Sequence, residues 1–133
     1  MIQVNYVAVL IAGVSAMVTG SIWYGPLFGK TWIKLTGISK GDMKNSEMPK
    51  QYGLMFLGAL VQSYVLSHFI HYAGAVGPIL GAKTGLFVAV GFVGASTLGN
   101  YIFAKRPMTL FYIDAGYALV NLGIMGAIIA SLW

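Results

Sequence analysis

The sequence predicts an all-α integral membrane protein whose four transmembrane helices form a bundle of two helical hairpins. Apolar residues make up 58% of the 133 residues and charged residues only 8%, whereas about 25% of the residues in a soluble domain are charged. The mean hydropathy is correspondingly high, at +0.79. The apolar residues are gathered into four long continuous segments, which favours helices over the alternating strands of a β-barrel. The lipid bilayer is therefore the expected partner of most of the surface.

Each of the four segments is long enough to cross a hydrocarbon core, which takes ~20 apolar residues in helical form. All four belong to a single predicted transmembrane domain that covers residues 1–133. The predicted helices are 4–24, 52–73, 79–103 and 108–133, and the longest connection is a cytoplasmic loop at 25–51.

The first connection is predicted to begin with a helix stop and a short interfacial helix. Gly25-Pro26 should end the first helix, because proline lacks an N–H donor and disfavours helical backbone at the residue before it. Residues 27–35 interleave apolar side chains with two lysines, which is typical of a helix lying on the membrane surface. Residues 37–49 have no apolar periodicity and are predicted to form a polar loop.

The distribution of basic residues predicts the orientation of the chain. Loops rich in lysine and arginine stay in the cytoplasm. Both termini are therefore predicted to lie on the non-cytoplasmic side of the membrane. Every basic residue except Lys83 falls in the connection between the first two spans or between the last two, namely Lys30, Lys34, Lys40, Lys44, Lys50, Lys105 and Arg106.

A run of aromatic residues marks the end of the first span. Trp23, Tyr24 and Trp32 are predicted to lie at the lipid headgroups, where amphipathic rings are favoured. The full pattern also includes Asn5 ahead of it, the polar residues 36–48 behind it, and Gly20, Pro26, Phe28 and Gly29. On this pattern the chain resembles the bacterial domain-of-unknown-function family 1761 over essentially its whole length. The resemblance implies four transmembrane helices and carries no catalytic residue.

Small residues spaced four apart predict how the helices pack, because such faces let backbones approach closely in lipid. The third span has two such stretches. The second of them is available for a homo-oligomer, although the general abundance of glycine in membrane helices explains it equally well. The faces are Ala8, Ala12, Ala16 and Gly20; Ala59, Ser63 and Ser67; Gly77, Gly81 and Gly85; Gly91, Ala95 and Gly99; and Gly126 with Ala130.

Polar residues within the spans are the candidate functional residues, because they are costly in lipid. Asn100 and Asp114 each lie seven residues from Pro107 on opposite arms of a hairpin, so they should share a depth. Arg106 and Tyr24 lie at the same end. We expect these residues to form a buried polar cluster that closes the cytoplasmic side of the bundle. Asp114 would serve there either as a proton or cation site or as a structural hydrogen-bond acceptor.

Two further polar sets lie deeper and on the outer side. The amides of Gln62 and Asn121 lie near the midplane and are expected to hydrogen-bond to each other. His68 and His71 are three residues apart on one helix, with Asn5 at a similar depth. Two histidines at this spacing can bind a metal, but no nearby carboxylate or cysteine completes a ligand set. No metal site and no cofactor is therefore predicted.

The remaining function classes are few. The net charge of +5 comes from few, separated basic residues, so nucleic-acid binding is not predicted. The sequence contains no cysteine, phosphate-binding loop or dinucleotide fingerprint, and an enzyme is not predicted. Two hypotheses remain: a non-enzymatic, self-associating or complex-associated membrane module, or a transporter or channel subunit that moves a small solute or a proton using Asp114 and the midplane amides.

Overall fold

The computed structural model describes residues 4–36 and 48–132, and these residues form five helices with no β-strand among them. Four of the helices are long and apolar enough to cross a membrane, which confirms the all-α bundle with a short helix after the first span. The predicted polar loop lies outside the described residues as far as residue 47. The helices are α1 (Tyr6–Leu27), α2 (Gly29–Thr36), α3 (Met48–Ala73), α4 (Pro78–Phe103) and α5 (Met108–Leu132).

Helix α1 continues past the predicted stop at Gly25-Pro26. Its last turn, Trp23–Leu27, is π-helical and contains Pro26. The backbone N–H of Phe28 donates to the carbonyl of Trp23 at 2.9 Å, one residue further back than in an α-helix. The wider turn accommodates a proline that has no N–H and whose ring would crowd the preceding carbonyls. The predicted helix end at residue 24 is therefore three residues too early.

Helix α5 is the centre of the bundle, since it packs against α4, α1 and α3. Helix α1 lies in the angle between α3 and α5 and buries Ala8, Ala12 and Ala16. Ser63 of α3 is fully buried, and its hydroxyl donates to the carbonyl of Val9 at 3.0 Å. The largest fully buried apolar side chains belong to α3 and α5 and are Leu66, Ile70, Leu122, Met125 and Ile129.

The first half of α4 packs on α5 with backbone against backbone. A Cβ atom added at Gly85 would overlap the carbonyl of Leu122, and one added at Gly81 would overlap the carbonyl of Gly126. Only glycine permits this approach. Close backbone contact is the main source of helix association in lipid, where burying apolar area gains little. The predicted small-residue face at this half of α4 is therefore filled by α5.

The second half of α4 has far less contact with the rest of the chain. It begins with a π-helical turn at Ala89–Gly94. A Cβ atom added at Gly91 or Gly99 would meet no atom within 4 Å. Within Ala95–Phe103 the only buried residue is Tyr101. This half of α4 is thus a peripheral helix.

Candidate polar cluster between three helices

Asp114 of α5 is held by two tyrosines from two other helices. The hydroxyl of Tyr24, at the end of α1, donates to Asp114 Oδ1 at 2.6 Å. The hydroxyl of Tyr101, near the end of α4, donates to Asp114 Oδ2. Tyr101 is buried, and Tyr24 and Asp114 are half-buried. Both carboxylate oxygens are therefore occupied, and one side chain joins α1, α4 and α5.

Aromatic side chains surround this carboxylate and add further ties between α1 and α5. The ring of Tyr117 lies 5.3 Å from that of Tyr24, and its hydroxyl donates to the carbonyl of Ala16 at 3.1 Å. The indole Nε1 of Trp23 donates to the carbonyl of Ile113 at 2.9 Å. The acceptors of these two bonds, the carbonyls of Ala16 and Ile113, are backbone groups within α1 and α5. The cluster is thus a network that fixes one helix against another.

The cluster differs from the predicted one in the residue that α4 contributes. Asn100 is exposed, whereas its neighbour Tyr101 is buried and reaches Asp114. Counting residues from Pro107 gives the depth of a side chain but not its direction, and adjacent helical residues point about 100° apart. Arg106 lies over the ring of Tyr101, with its guanidinium carbon 5.5 Å from the ring centroid, a cation–π geometry.

The aromatic motif at the end of α1 forms a packed corner rather than a simple membrane anchor. The rings of Trp23 and Phe28 lie 4.7 Å apart, and those of Tyr24 and Trp32 lie 6.0 Å apart. Gly29 is buried where α2 begins, and a Cβ atom there would lie 2.5 Å from the carbonyl oxygen of Tyr24. The corner, which includes Pro26 in its π-helical turn, therefore positions Tyr24 for its bond to Asp114.

The two midplane amides do contact each other. Asn121 Nδ2 donates to Gln62 Oε1 at 3.2 Å, which joins α5 to α3. Asn121 is only 3% exposed, yet its Oδ1 has no hydrogen-bond partner. A buried polar atom without a partner costs about 1–3 kcal/mol. The pair is therefore incompletely satisfied within the described chain.

The outer-side residues make contacts within the chain. His68 Nδ1 lies 2.9 Å from the carbonyl of Tyr64, one turn earlier in α3, and its ring packs against that tyrosine at 4.7 Å. His71 is exposed. Asn5 caps α1 by accepting from the backbone N–H of Ala8 at 3.2 Å, and it donates to the carbonyl of Leu132 at 2.7 Å. Over residues 4–36 and 48–132 no group of three or more His, Cys, Asp or Glu side chains is placed to hold a metal ion.

Comparison with models of protein families matches most of the chain. A family model described as "Protein of unknown function (DUF1761)" matches residues 7–130, which include the aromatic corner, the carboxylate cluster and the midplane amides. This finding confirms the resemblance recognised from the motif. Neither the curated proteins nor the solved structures provide a match to the chain.

Proposed function

The chain belongs to the family described as "Protein of unknown function (DUF1761)", whose model covers residues 7–130. We propose that this family member is a non-enzymatic membrane module that associates with a second copy of itself. Its four long apolar helices make it a multi-pass membrane protein. The observation that carries the proposal is a face of α4 formed by Gly91, Ala95 and Gly99, here termed the free face, which no part of the described chain fills.

The contrast between the two halves of α4 supports a second copy as the occupant. In the first half Gly81 and Gly85 receive the backbone of α5. In the second half Gly91 and Gly99 have open space, and Ala95 between them is exposed. Helix backbones in a bilayer gain from close van der Waals contact at such small residues. A lipid chain has no matching rigid groove, whereas the same face of another copy does.

The oligomeric mass of the purified protein tests this proposal. We expect light scattering in mild detergent to give a dimer or higher oligomer for the parent chain. Gly99→Leu should give a monomer, because the leucine fills the space through which a second backbone would approach. The matched control is Gly58→Leu on α3, where a Cβ atom also meets nothing within 4 Å; its mass should equal that of the parent. A monomeric parent chain, or identical masses for both variants and the parent, would refute the proposal.

The transporter alternative receives less support. A carboxylate that carries a proton or a cation must exchange its partners, but both oxygens of Asp114 are held by tyrosine hydroxyls of the same chain. Those hydroxyls come from α1 and α4, so releasing them would loosen the contacts among three helices. The geometry of the cluster is better suited to holding the bundle together.

We further propose that the protein lies in a bacterial inner membrane with both termini on the non-cytoplasmic side. The bond from Asn5 to the carbonyl of Leu132 supports a common side for the two termini. The basic loops at the opposite end support a cytoplasmic location for that end. In intact spheroplasts an impermeant thiol reagent should label Ser131→Cys but not Thr31→Cys, both of which replace exposed residues. Labelling of Thr31→Cys under these conditions would contradict the orientation.

A further inference from the structure

Exposed basic side chains gather at the end of the bundle where α1 and α4 finish. Two of them, Lys30 and Lys34, lie one helical turn apart on α2. Two more, Lys105 and Arg106, are adjacent in the turn between α4 and α5. Lys105 has a φ of 55°, a left-handed conformation that glycine usually takes after a helix. Two separate elements therefore present cations at this end.

Contacts through the polar cluster hold these two elements on either side of Asp114. The ring of Trp32 on α2 lies 6.0 Å from that of Tyr24, whose hydroxyl donates to Asp114. The other oxygen of Asp114 accepts from Tyr101, and the guanidinium of Arg106 lies over the Tyr101 ring. Helix α2 also packs directly on α5. The cations of α2 and of the α4–α5 turn therefore flank one cluster.

The described part of the chain has no carboxylate to spare for these cations. Asp114 is the one acidic residue within 4–36 and 48–132, and tyrosine hydroxyls occupy both of its oxygens. Exposed lysine and arginine side chains at a membrane border attract negatively charged lipid headgroups. The charge of this end is complementary to an anion from outside the described chain.

The level of these cations in the bilayer indicates a lipid headgroup as the source of that anion. Helix α2 begins two residues after the apolar span of α1 ends at Leu27. Trp32 packs back against Tyr24 in the last turn of α1, which keeps α2 near the level where that span ends. The α4–α5 turn likewise joins two span ends, Phe103 and Met108. Lipid headgroups lie at this level, just outside the hydrocarbon core.

We propose that α2 and the α4–α5 turn form a binding site for the headgroup of an anionic phospholipid. Lys30 and Lys34 supply positive charge to the phosphate, and Arg106 adds N–H donors in a planar fork. A zwitterionic lipid carries the same phosphate, but its own cation is repelled by these side chains. The site does not depend on the proposed self-association, because its residues lie outside the free face of α4.

Native mass spectrometry of the full chain in a mild detergent tests the proposal. The chain is titrated with dioleoylphosphatidylglycerol or dioleoylphosphatidylcholine, which share their acyl chains and differ in headgroup charge. We expect phosphatidylglycerol to bind more tightly, and its advantage should shrink as salt is added because salt screens exposed charges. Inorganic phosphate at matched ionic strength should not displace the lipid. Equal binding of the two lipids, or displacement by inorganic phosphate, would overturn the proposal.

Substitutions on α2 separate the charge of the site from its structure. Lys30→Gln/Lys34→Gln should weaken phosphatidylglycerol binding at least about fivefold, the effect of removing one such charge from an anionic headgroup. Lys30→Arg/Lys34→Arg keeps both charges and should bind as the parent does. Lys83→Gln is the matched control, because Lys83 is also exposed but lies near the opposite end of α4; its binding should be unchanged. Unchanged binding by the glutamine pair, a loss in the arginine pair, or an equal loss in Lys83→Gln would each overturn the proposal.

Discussion

Removing the carboxylate of Asp114 should destabilise the bundle more than any other single polar substitution within the described spans. The change to alanine deletes the acceptor of two hydrogen bonds, one from Tyr24 and one from Tyr101. Hydrogen bonds to charged groups contribute about 1.5–3 kcal/mol in soluble proteins, whereas those between membrane helices average about 0.6 and reach about 1.7 kcal/mol. Two bonds near the upper membrane value give a loss of about 3 kcal/mol for Asp114→Ala.

The Asn variant separates the shape of this side chain from its charge. Asp114→Asn keeps an oxygen that accepts from one tyrosine and an amide that can donate to the oxygen of the other, so we expect a loss of only about 1 kcal/mol. The free energy of unfolding can be measured by titration with a denaturing detergent, followed by the tryptophan fluorescence of the chain. Trp23, whose indole donates to the carbonyl of Ile113 next to Asp114, contributes to this signal.

Removing the tyrosine hydroxyls shows whether Tyr24, Tyr101 and Asp114 act as one unit. Tyr24→Phe and Tyr101→Phe should each cost about 1 kcal/mol in the parent. In the Asp114→Ala background the same changes should cost almost nothing, because their shared acceptor is already gone. The account of this cluster would be refuted if Asp114→Ala were as stable as the parent. It would also be refuted if Tyr24→Phe and Tyr101→Phe kept their full cost in the Asp114→Ala background.

Two further predictions concern packing and the midplane. Gly85→Ala should lower the free energy of unfolding by at least about 2 kcal/mol. The reason is that its Cβ would overlap the carbonyl of Leu122, a backbone group that cannot move aside. Gly58→Ala is the control and should be neutral, because a Cβ atom there meets nothing within 4 Å. The double variant Gln62→Leu/Asn121→Leu should be at least as stable as the parent in the same titration, because it removes both members of a pair that leaves a buried oxygen without a partner. A loss above about 1 kcal/mol would contradict this.

The architecture could be predicted because it depends on properties that a sequence displays directly. Length and apolar continuity determine the number of spans, and the four helices found here agree with the four segments expected. The spacing of Gly81 and Gly85 predicted a close-packing face, which α5 fills. The sequence could not show which of the two faces on α4 would be filled, since both consist of small residues spaced four apart.

The position of the polar cluster along the helices could be predicted, but not all of its residues. Its position near Pro107 followed from counting residues along a hairpin, and Tyr24 was correctly expected beside Asp114. Tyr101 was missed in favour of Asn100 because the direction of a side chain depends on the turn between α4 and α5. That turn includes Lys105 with a φ of 55°, a left-handed conformation that lysine rarely adopts. No local pattern in the sequence indicates it.

The end of α1 was missed for a related reason. Gly25-Pro26 is a strong stop signal when the helix must keep its α-helical hydrogen bonds. A π-helical turn changes the bonding by one residue and carries the helix through Pro26 to Leu27. The packing of Trp23 on Phe28 and on the carbonyl of Ile113 stabilises that turn. The bond to Ile113 joins residues ninety positions apart in the chain, so no local pattern indicates it.

Self-association through the free face of α4 is the central claim, and disulfide cross-linking in native membranes tests it most directly. Ala95→Cys introduces the only cysteine of the chain, on a face whose symmetry-related copies meet near a two-fold axis. Gly58→Cys is the control, because it lies at a matching depth: Gly58 is eight residues from Lys50 at one end of its span, and Ala95 is eight residues from Phe103 at the end of its own. With a mild oxidant, the account predicts a covalent dimer for Ala95→Cys and none for Gly58→Cys. A monomer for Ala95→Cys, or equal cross-linking of both variants, would contradict it.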